Sequence, residues 1–212
     1  MNGRLVLREQ LTNAEQRAMF SLMEEHFDGV TGELFLRDLA EKNWVVLLEE
    51  AGSIRGFTTL LVQEGVVHSG DTIVHRDAWG SSALARTWLE AIRKLRPQYW
   101  LLITSGFRTY RFLPVFWKEF WPRCDATERP ALLEVLARQR YGSRYADGIV
   151  RFRHPQLLRQ GLSEVPSGRF RNPHVDFFVR ANPGHAHGDE LVCLCPLTAE
   201  NQTAAGRRVV AL

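Results

Sequence analysis

The sequence of 212 residues predicts an α/β fold in which a mixed, mostly antiparallel sheet is flanked by helices. Residues 66–76 are rich in β-branched side chains, and residues 83–95 have the apolar spacing of an amphipathic helix. Residues 44–49 and 54–63 precede that strand with short connections, which join antiparallel neighbours. Residues 99–104 are almost entirely apolar and follow a strand–helix pair, so we expect them to run parallel to 66–76.

The remaining segments extend this pattern in both directions. Residues 3–8 alternate like a strand, and Thr12 with Glu15 forms a capping-box pattern that opens a helix ending near Phe27. Gly56, inside the strand 54–63, indicates a bulge or a close approach of another chain segment. The other predicted elements are helices at 32–42, at 106–121 on either side of Pro114 and at 131–141, strands at 175–180 and 190–197 joined as a hairpin, and a short strand at Arg208–Leu212.

Length and composition predict a single domain over residues 1–212, with a core at 3–121 and 175–197, a helical insertion at about 122–174 and a polar tail at 198–212. The net charge of +3 comes from scattered arginines, so we expect no nucleic-acid partner. No apolar run is long enough for a membrane span, and no signal peptide is visible. The three cysteines do not form a disulfide framework, and the cytoplasm is therefore the expected location.

The turn over residues 77–82 (DAWGSS) lies between the central strand and its helix. Small residues there allow backbone N–H groups at the helix start to approach a ligand, and the helix dipole favours an anion. A phosphate-bearing ligand is therefore one interpretation. The alternative is an ordinary helix cap in a packing unit.

The order β-α-α-β-β-β-α-β-α, followed by an insertion and two closing strands, resembles the GNAT acyltransferase superfamily, whose phosphate loop has the form Q/R-x-x-G-x-G/A. Placing Gly80 at the first glycine puts Ser82 at the second small position and Asp77 where Gln or Arg is usual. Placing Arg76 at the basic position instead puts Trp79 at the first glycine. A carboxylate beside a pyrophosphate is unfavourable unless it points away or pairs with Arg76.

The resemblance implies attack of an amine on a thioester, which needs a base for the amine proton and an acid for the departing thiolate. Asp71 lies in an apolar strand, where burial would raise its pKa towards that of a useful base. The alternative is that Gly70–Thr72 forms a bulge in which Asp71 accepts backbone N–H bonds. His75 and His68 are further candidate bases, and Tyr110 is the candidate acid or simply an aromatic packing residue.

The coenzyme A thioester implied by the resemblance would bind at the end of the central strand, in the turn and where the neighbouring strand splays away. Arg108 or Arg111 there would hold a phosphate or a carboxylate. The predicted cofactor-binding residues are Val74, Arg76, Gly80, Ser81, Ser82, Ala83, Ser105 and Arg108.

A cluster of aromatic residues between Phe107 and Trp121 allows two further interpretations. It would line a pocket for a long acyl chain delivered by an acyl carrier protein, or it would belong to the core or to a homodimer contact. His185, His187, Asp189, Cys193 and Cys195 match no standard zinc spacing, so we predict no metal site.

These observations together predict an N-acyltransferase that moves an acyl group, acetyl or longer, from a coenzyme A thioester to an amine of a small molecule. The alternatives are a GNAT-fold module that binds a ligand without catalysis, an interaction module, or an acyltransferase that uses a carrier-protein donor.

Overall fold

The computed structural model describes residues 1–209, which form ten strands and eight α-helices. The strands are β1 (Asn2–Leu7), β2 (Phe27–Asp28), β3 (Trp44–Glu50), β4 (Ser53–Gln63), β5 (Val66–Val74), β6 (Tyr99–Thr104), β7 (Tyr145–Ala146), β8 (Ile149–Val150), β9 (Leu157–Leu158) and β10 (Glu190–Pro196). The helices are α1 (Asn13–His26), α2 (Gly32–Ala40), α3 (Ala83–Leu95), α4 (Phe107–Tyr110), α5 (Phe112–Phe116), α6 (Ala131–Tyr141), α7 (Pro173–Ala181) and α8 (Ala204–Val209).

Eight strands form one sheet in the order β1-β3-β4-β5-β6-β10-β8-β7, and β2 pairs with β9 in a separate two-stranded sheet. Strands β5 and β6 are parallel, and the other neighbouring pairs within residues 1–209 are antiparallel. The predicted mixed, mostly antiparallel sheet is therefore confirmed, including the parallel pair joined by α3. Apart from the two-residue strand β2, which pairs outside the main sheet, the order of strands and helices up to β6 is also the one that the resemblance to the GNAT superfamily implies.

Helices cover both faces of the sheet. Helix α3 packs on one face with α4, α5 and α7, where Trp88, Trp100 and Phe178 belong to one apolar cluster. The other face is covered by α1 and α2 over β3 and β4, and by α6 over β6 and β10. No helix of the described chain is long and apolar enough to cross a membrane.

Local sequence signals explain several element boundaries. The Thr12 side chain accepts the N–H of Glu15 while the Glu15 carboxylate accepts the N–H of Thr12, so the predicted capping box opens α1. Gly56 lies where a Cβ atom would come within 2.8 Å of the Ile73 carbonyl oxygen, which confirms the predicted close approach. Helix α6 has the predicted bounds 131–141.

The predicted C-terminal hairpin is wrong, because residues 175–180 belong to helix α7 and not to a strand. Asn172 caps this helix with its side-chain oxygen, which accepts the N–H groups of His174 and Val175, and Pro173 occupies the first turn. Both features are standard signals for a helix start. The strand predicted at 190–197 exists as β10, but it pairs with β6 and β8.

Two further segments differ from expectation. The aromatic segment 106–121 contains the two short helices α4 and α5 and continues in extended form after Phe116. The segment predicted as a helical insertion contains α6 and also the strands β7, β8 and β9. In the tail, Arg208 and Val209 end helix α8, and the rest of the strand predicted there, 210–212, lies outside the described residues.

Candidate active site

The site is positioned by a split in the central sheet. Strand β5 pairs with β6 in parallel from Val66 opposite Tyr99 to Ser69 opposite Leu102. Beyond Ser69 it continues to pair with β4 but no longer with β6. The N–H of His75 donates to Arg55 on the β4 side. Because backbone groups alternate along a strand, the N–H groups of Val74 and Thr72 point towards the gap that opens beside β6.

A bulge in β5 lies where the split begins. Thr72 is opposite Thr58 and Ser69 is opposite Leu60, so Gly70 and Asp71 together face the single residue Thr59. The extra residue reverses the facing of every side chain that follows it. Val67 before the bulge and Val74 after it consequently both pack on the face covered by α3. In a strand without a bulge, two residues seven positions apart would lie on opposite faces.

The first of two cavities at the split lies between α2 and α6 and has a volume of about 350 Å³; we call it the α2–α6 cavity. Asp71 and Glu190 contribute to it from the sheet, and Ser105 follows β6 into it. Its charged lining residues are Arg37, Asp38, Glu41, Lys42, Asp71, Arg140, Arg144 and Glu190.

Two ion pairs neutralise half of these charges. Lys42 is buried and donates to both carboxylate oxygens of Asp38 at 2.8 Å, and Arg140 donates to Glu41 at 2.7 Å. The carboxylates of Asp71 and Glu190 accept no hydrogen bond from any side chain or loop amide of residues 1–209. These two groups are the unpaired acids of the cavity.

The environment of both acids favours their protonated forms. Burial raises the pKa of Asp71 to about 7; the nearby Asp38 carboxylate adds to the rise and Lys42 opposes it. Burial likewise raises the pKa of Glu190 to about 8, with contributions from the Asp71 and Asp38 carboxylates. Burial lowers the pKa of His68, which lines the same cavity, to about 4, so this imidazole is neutral at physiological pH. Carboxyl groups with such pKa values can exchange protons near neutral pH.

The second cavity lies between α3 and α4 and has a volume of about 460 Å³; we call it the α3–α4 cavity. Its walls are mainly aromatic, and arginines stand among them. Its aromatic and arginine lining residues are Phe27, Trp79, Trp88, Trp100, Phe107, Phe112, Arg108, Arg111 and Arg169. Leu162, Pro166 and Arg169 contribute to it from the segment after β9.

Arg108 is held at this cavity by three contacts. Its guanidinium carbon lies 4.6 Å from the ring centroids of both Trp79 and Phe107, and its Nη1 donates to the Leu162 carbonyl at 3.0 Å. Partial burial lowers the pKa of Arg108, and the positive charges of Arg169 and Arg76 add to that effect. Several guanidinium groups therefore converge here, an arrangement that suits a polyanionic ligand.

The two cavities meet at the split. The lining residues that they share are Phe27, Ser69, Thr72, Gly106, Thr109 and Leu158. The Ser69 hydroxyl accepts the indole N–H of Trp100 at 2.8 Å, and the Thr72 hydroxyl is bonded to that of Thr58. A group bound in one cavity can consequently reach a group bound in the other beside Thr109.

The predicted phosphate turn lies at the edge of the α3–α4 cavity, between its lining residues Trp79 and Leu84. Two of the four predicted amide donors are already used, because Ser81 N–H donates to the Ala78 carbonyl and Ala83 N–H donates to the Ser81 hydroxyl. In the described chain, Gly80, Ser82, Leu84 and Ala85 have no such internal acceptor for their N–H groups. The open amides are therefore partly different from the predicted ones.

Asp77 does not pair with Arg76, contrary to the pairing considered from the sequence. Its carboxylate lies 3.3 Å from Arg55 Nη2 and is exposed. His75 Nδ1 contacts the same guanidinium at 3.0 Å and accepts the Asp77 N–H, while its Nε2 faces Glu25 of α1. His75 lines neither cavity. Its predicted role as a base is therefore not supported by its position.

Tyr110 also lies away from both cavities, so its position does not support the predicted role as the acid. Its side chain is fully buried among Phe120, Phe177 and Phe178, and its hydroxyl donates to the Pro122 carbonyl at 3.0 Å. Burial raises the pKa of this hydroxyl above its ordinary value. The preceding residue, Thr109, reaches the junction instead.

Of the other predicted residues, Val74 and Arg108 line the α3–α4 cavity and Ser105 lines the α2–α6 cavity. The sequence patterns do not single out Glu190, Lys42 and Thr109, which also line the cavities. Glu190 carried a usable signal, since it is an acid at the start of an apolar strand. Lys42 and Thr109 had no sequence pattern that separates them from surface residues.

Comparison with known proteins gives similarity in structure without similarity in sequence. No family model matches the chain, and no curated protein matches it. The ribosomal-protein-S18-alanine N-acetyltransferase of Escherichia coli aligns over 92% of this chain and 94% of its own, at 12% identity and a TM-score of 0.47. An IAA acetyltransferase of Bacillus cereus aligns over 92% and 98%, at 10% identity and a TM-score of 0.46. A GNAT-family acetyltransferase of Brucella melitensis in complex with acetyl-CoA aligns over 48% and 75%, at 16% identity and a TM-score of 0.38.

Proposed function

We propose that this protein is an N-acyltransferase of the GNAT type, which transfers an acyl group from a coenzyme A thioester to an amine of a small molecule. The observation that carries the proposal is the junction at the sheet split. An aromatic, arginine-bearing cavity meets there a second cavity with two unpaired carboxyl groups. One substrate of this reaction is a polyanion with an extended arm, and the other is a cation.

The thioester would occupy the α3–α4 cavity. Its phosphate groups would face Arg108, Arg169 and Arg76 and the open amides at the start of α3, where the helix dipole favours negative charge. Its arm would lie along the unpaired edge of β5, with the N–H of Val74 or Thr72 donating to the thioester carbonyl. A donor already fixed in the strand stabilises the oxyanion that develops during attack.

The amine would enter through the α2–α6 cavity and meet Asp71. An ammonium ion must lose a proton before its nitrogen can attack, and the Asp71 carboxylate would accept that proton. The free electron pair then forms the C–N bond, the C–S bond breaks with its electrons on sulfur, and the second proton that the nitrogen loses passes to the thiolate. The Thr109 hydroxyl would donate a hydrogen bond to the sulfur as its charge develops, and Asp71 would return its proton to solvent. A base whose pKa is near 7 suits this task at neutral pH.

Calorimetry and a thiol-release assay test the proposal together. We would titrate the protein with acetyl-, octanoyl- and palmitoyl-coenzyme A, and then measure thiol release with a panel of primary amines. A Cβ at Gly80 meets nothing within 4 Å, so Gly80→Trp adds bulk beside the open amides without disturbing the core. We expect this variant to lose donor binding, whereas Glu128→Trp in an exposed loop should retain it.

The thioester that binds tightest identifies the acyl-chain length of the donor. Binding without thiol release for any amine would contradict catalysis and favour a ligand-binding module. Failure of all three thioesters to bind would overturn the coenzyme A donor.

A further inference from the structure

We infer that the acceptor carries a second, anionic group, a carboxylate or a phosphate, at the end of the molecule opposite its amine. This inference rests on the proposed function, because it concerns what else binds in the cavity that would receive the amine. It follows from how the charges of the α2–α6 cavity are paired and from which elements carry them.

Pairing within the cavity leaves two carboxyl groups and two guanidinium groups without a partner. Asp38 is satisfied by Lys42 and Glu41 by Arg140, as described above. The acids without a partner are Asp71 and Glu190. The guanidinium groups without an ion pair in the described part of the chain are Arg37 and Arg144. A ligand with only an amine would therefore interact with the carboxyl groups and leave both guanidinium groups unmatched.

The unmatched groups are separated by depth. Asp71 and Glu190 belong to strands β5 and β10 and are half-buried, so they form the floor of the cavity. Arg37 lies on α2 and Arg144 follows α6, and both are exposed at the rim. An acceptor that satisfies both places its amine at the floor and its anion at the rim, which requires a spacer between them.

Arg144 is held in place although no carboxylate fixes it. Its Nε donates to the Tyr141 carbonyl at 3.2 Å, and its guanidinium carbon lies 5.3 Å from the ring centroid of Phe152, which also lines the cavity. These contacts leave both Nη groups free to donate. A guanidinium oriented in this way is suited to bind a carboxylate or a phosphate through two parallel hydrogen bonds.

Pairs of probes that differ only in the anionic group test the inference. Calorimetric titrations without any thioester would compare hexylamine with aminohexanoate and with aminohexyl phosphate. We expect at least one anionic probe to bind about tenfold tighter than hexylamine, and the better of the two identifies the anion. A shorter aminobutanoate probe measures the spacer. Equal binding of all probes, or tighter binding of hexylamine, would overturn the inference.

Two arginine variants locate the anion. Arg144→Gln should bring the ratio of affinities for aminohexanoate and hexylamine towards one. Arg138→Gln removes the same charge from the outer face of α6, where Arg138 pairs with Glu134, and should keep the wild-type ratio. A ratio that is unchanged in Arg144→Gln would contradict the assignment.

Failure of the proposed function and failure of this inference give different results. Loss of thioester binding or of thiol release affects the transferase proposal, whereas the titrations above need no thioester and decide only what the α2–α6 cavity binds.

Discussion

Lys42 Nζ lies 2.8 Å from each carboxylate oxygen of Asp38, and the Lys42 side chain passes directly beside Gly70. A Cβ atom on Gly70 would lie 2.8 Å from Lys42 Cε. The ion pair is thus packed against the bulge that carries Asp71. Its two charges act on the Asp71 carboxyl group in opposite directions.

Asp38→Asn should move the proposed transferase activity to lower pH. The Asp38 carboxylate raises the pKa of Asp71, and its removal also leaves the Lys42 charge without a neutralising partner, so both effects lower the pKa of Asp71. The proposed mechanism requires ionised Asp71, and the rate of the wild type should rise with pH through about 7. The profile of kcat/KM against pH measures the shift. Asp176→Asn, which removes a carboxylate paired with Arg180 on α7, is the control and should leave the profile unchanged.

Asp71→Asn should remove activity and yet stabilise the fold. We expect kcat to fall by roughly 100-fold or more, as is typical when a general base is lost. Because the pKa of Asp71 is raised in the folded state to about 7, its carboxyl group lowers stability progressively as pH rises from about 4 to about 7. The Tm gain of the variant should therefore be larger at pH 8 than at pH 5. A Tm gain that is the same at both pH values would contradict the raised pKa.

Gly70→Ala should destabilise the protein although glycine is replaced by the smallest side chain. The added Cβ would lie 2.5 Å from Thr59 Oγ1 and 2.8 Å from Lys42 Cε, so the bulge or the ion pair must shift. Overpacking of this kind costs about 1–3 kcal/mol of the free energy of unfolding. Gly168→Ala, where a Cβ meets nothing within 4 Å, is the matched control for urea denaturation. Equal stability of the two variants would show that the bulge tolerates the clash.

Tyr110→Phe and Thr109→Ala should separate structure from catalysis at two adjacent positions. Loss of the Tyr110 hydroxyl leaves the Pro122 carbonyl without its donor and should cost about 1 kcal/mol of stability, while kcat stays within about twofold. Thr109→Ala should lower kcat with little change in stability, since Thr109 lines both cavities. Steady-state kinetics and urea denaturation of both variants provide the comparison, and a large loss of kcat in Tyr110→Phe would restore the role predicted from the sequence.

Arg108→Gln should weaken donor binding by roughly tenfold, because it removes a positive charge that is oriented by Trp79 and Phe107. The loss should shrink at high salt, as expected for a charge interaction at a partly exposed site. Calorimetry with coenzyme A at two salt concentrations measures both effects. Arg93→Gln, on the exposed face of α3, changes the net charge equally and should have no effect.

Most of the sheet could be predicted from the sequence, because its signals are local. Alternation, β-branched runs and short connections define β3 to β5, and the apolar run at Tyr99–Thr104 indicates a buried parallel strand. Residues 175–180 resemble a strand in the sequence because their apolar side chains fit both the strand and the helix period. The cap formed by Asn172 and Pro173 just before them was the stronger signal.

The site was less predictable, because it depends on residues that are distant in the sequence. The bulge considered from the sequence at Gly70–Thr72 is present, but its single partner Thr59 of the neighbouring strand could not be read from the residues near Asp71. The same bulge also determines the face of the sheet on which His75 lies. Tyr110 and Thr109 differ by one position, and the short helix α4 turns one of them into the core and the other into the cavities.

The bulge at Gly70 and Asp71 has an evolutionary consequence. Deletion of either residue would reverse the facing of Ile73 and Val74 and exchange the side chains offered to the two opposite cores, so lineages cannot discard it without losing the fold. Replacement of the Asp71 side chain alone carries no such penalty. Homologues without the proposed chemistry should therefore retain the extra residue in this strand, so that the bulge indicates common descent and the Asp71 carboxylate indicates the proposed activity.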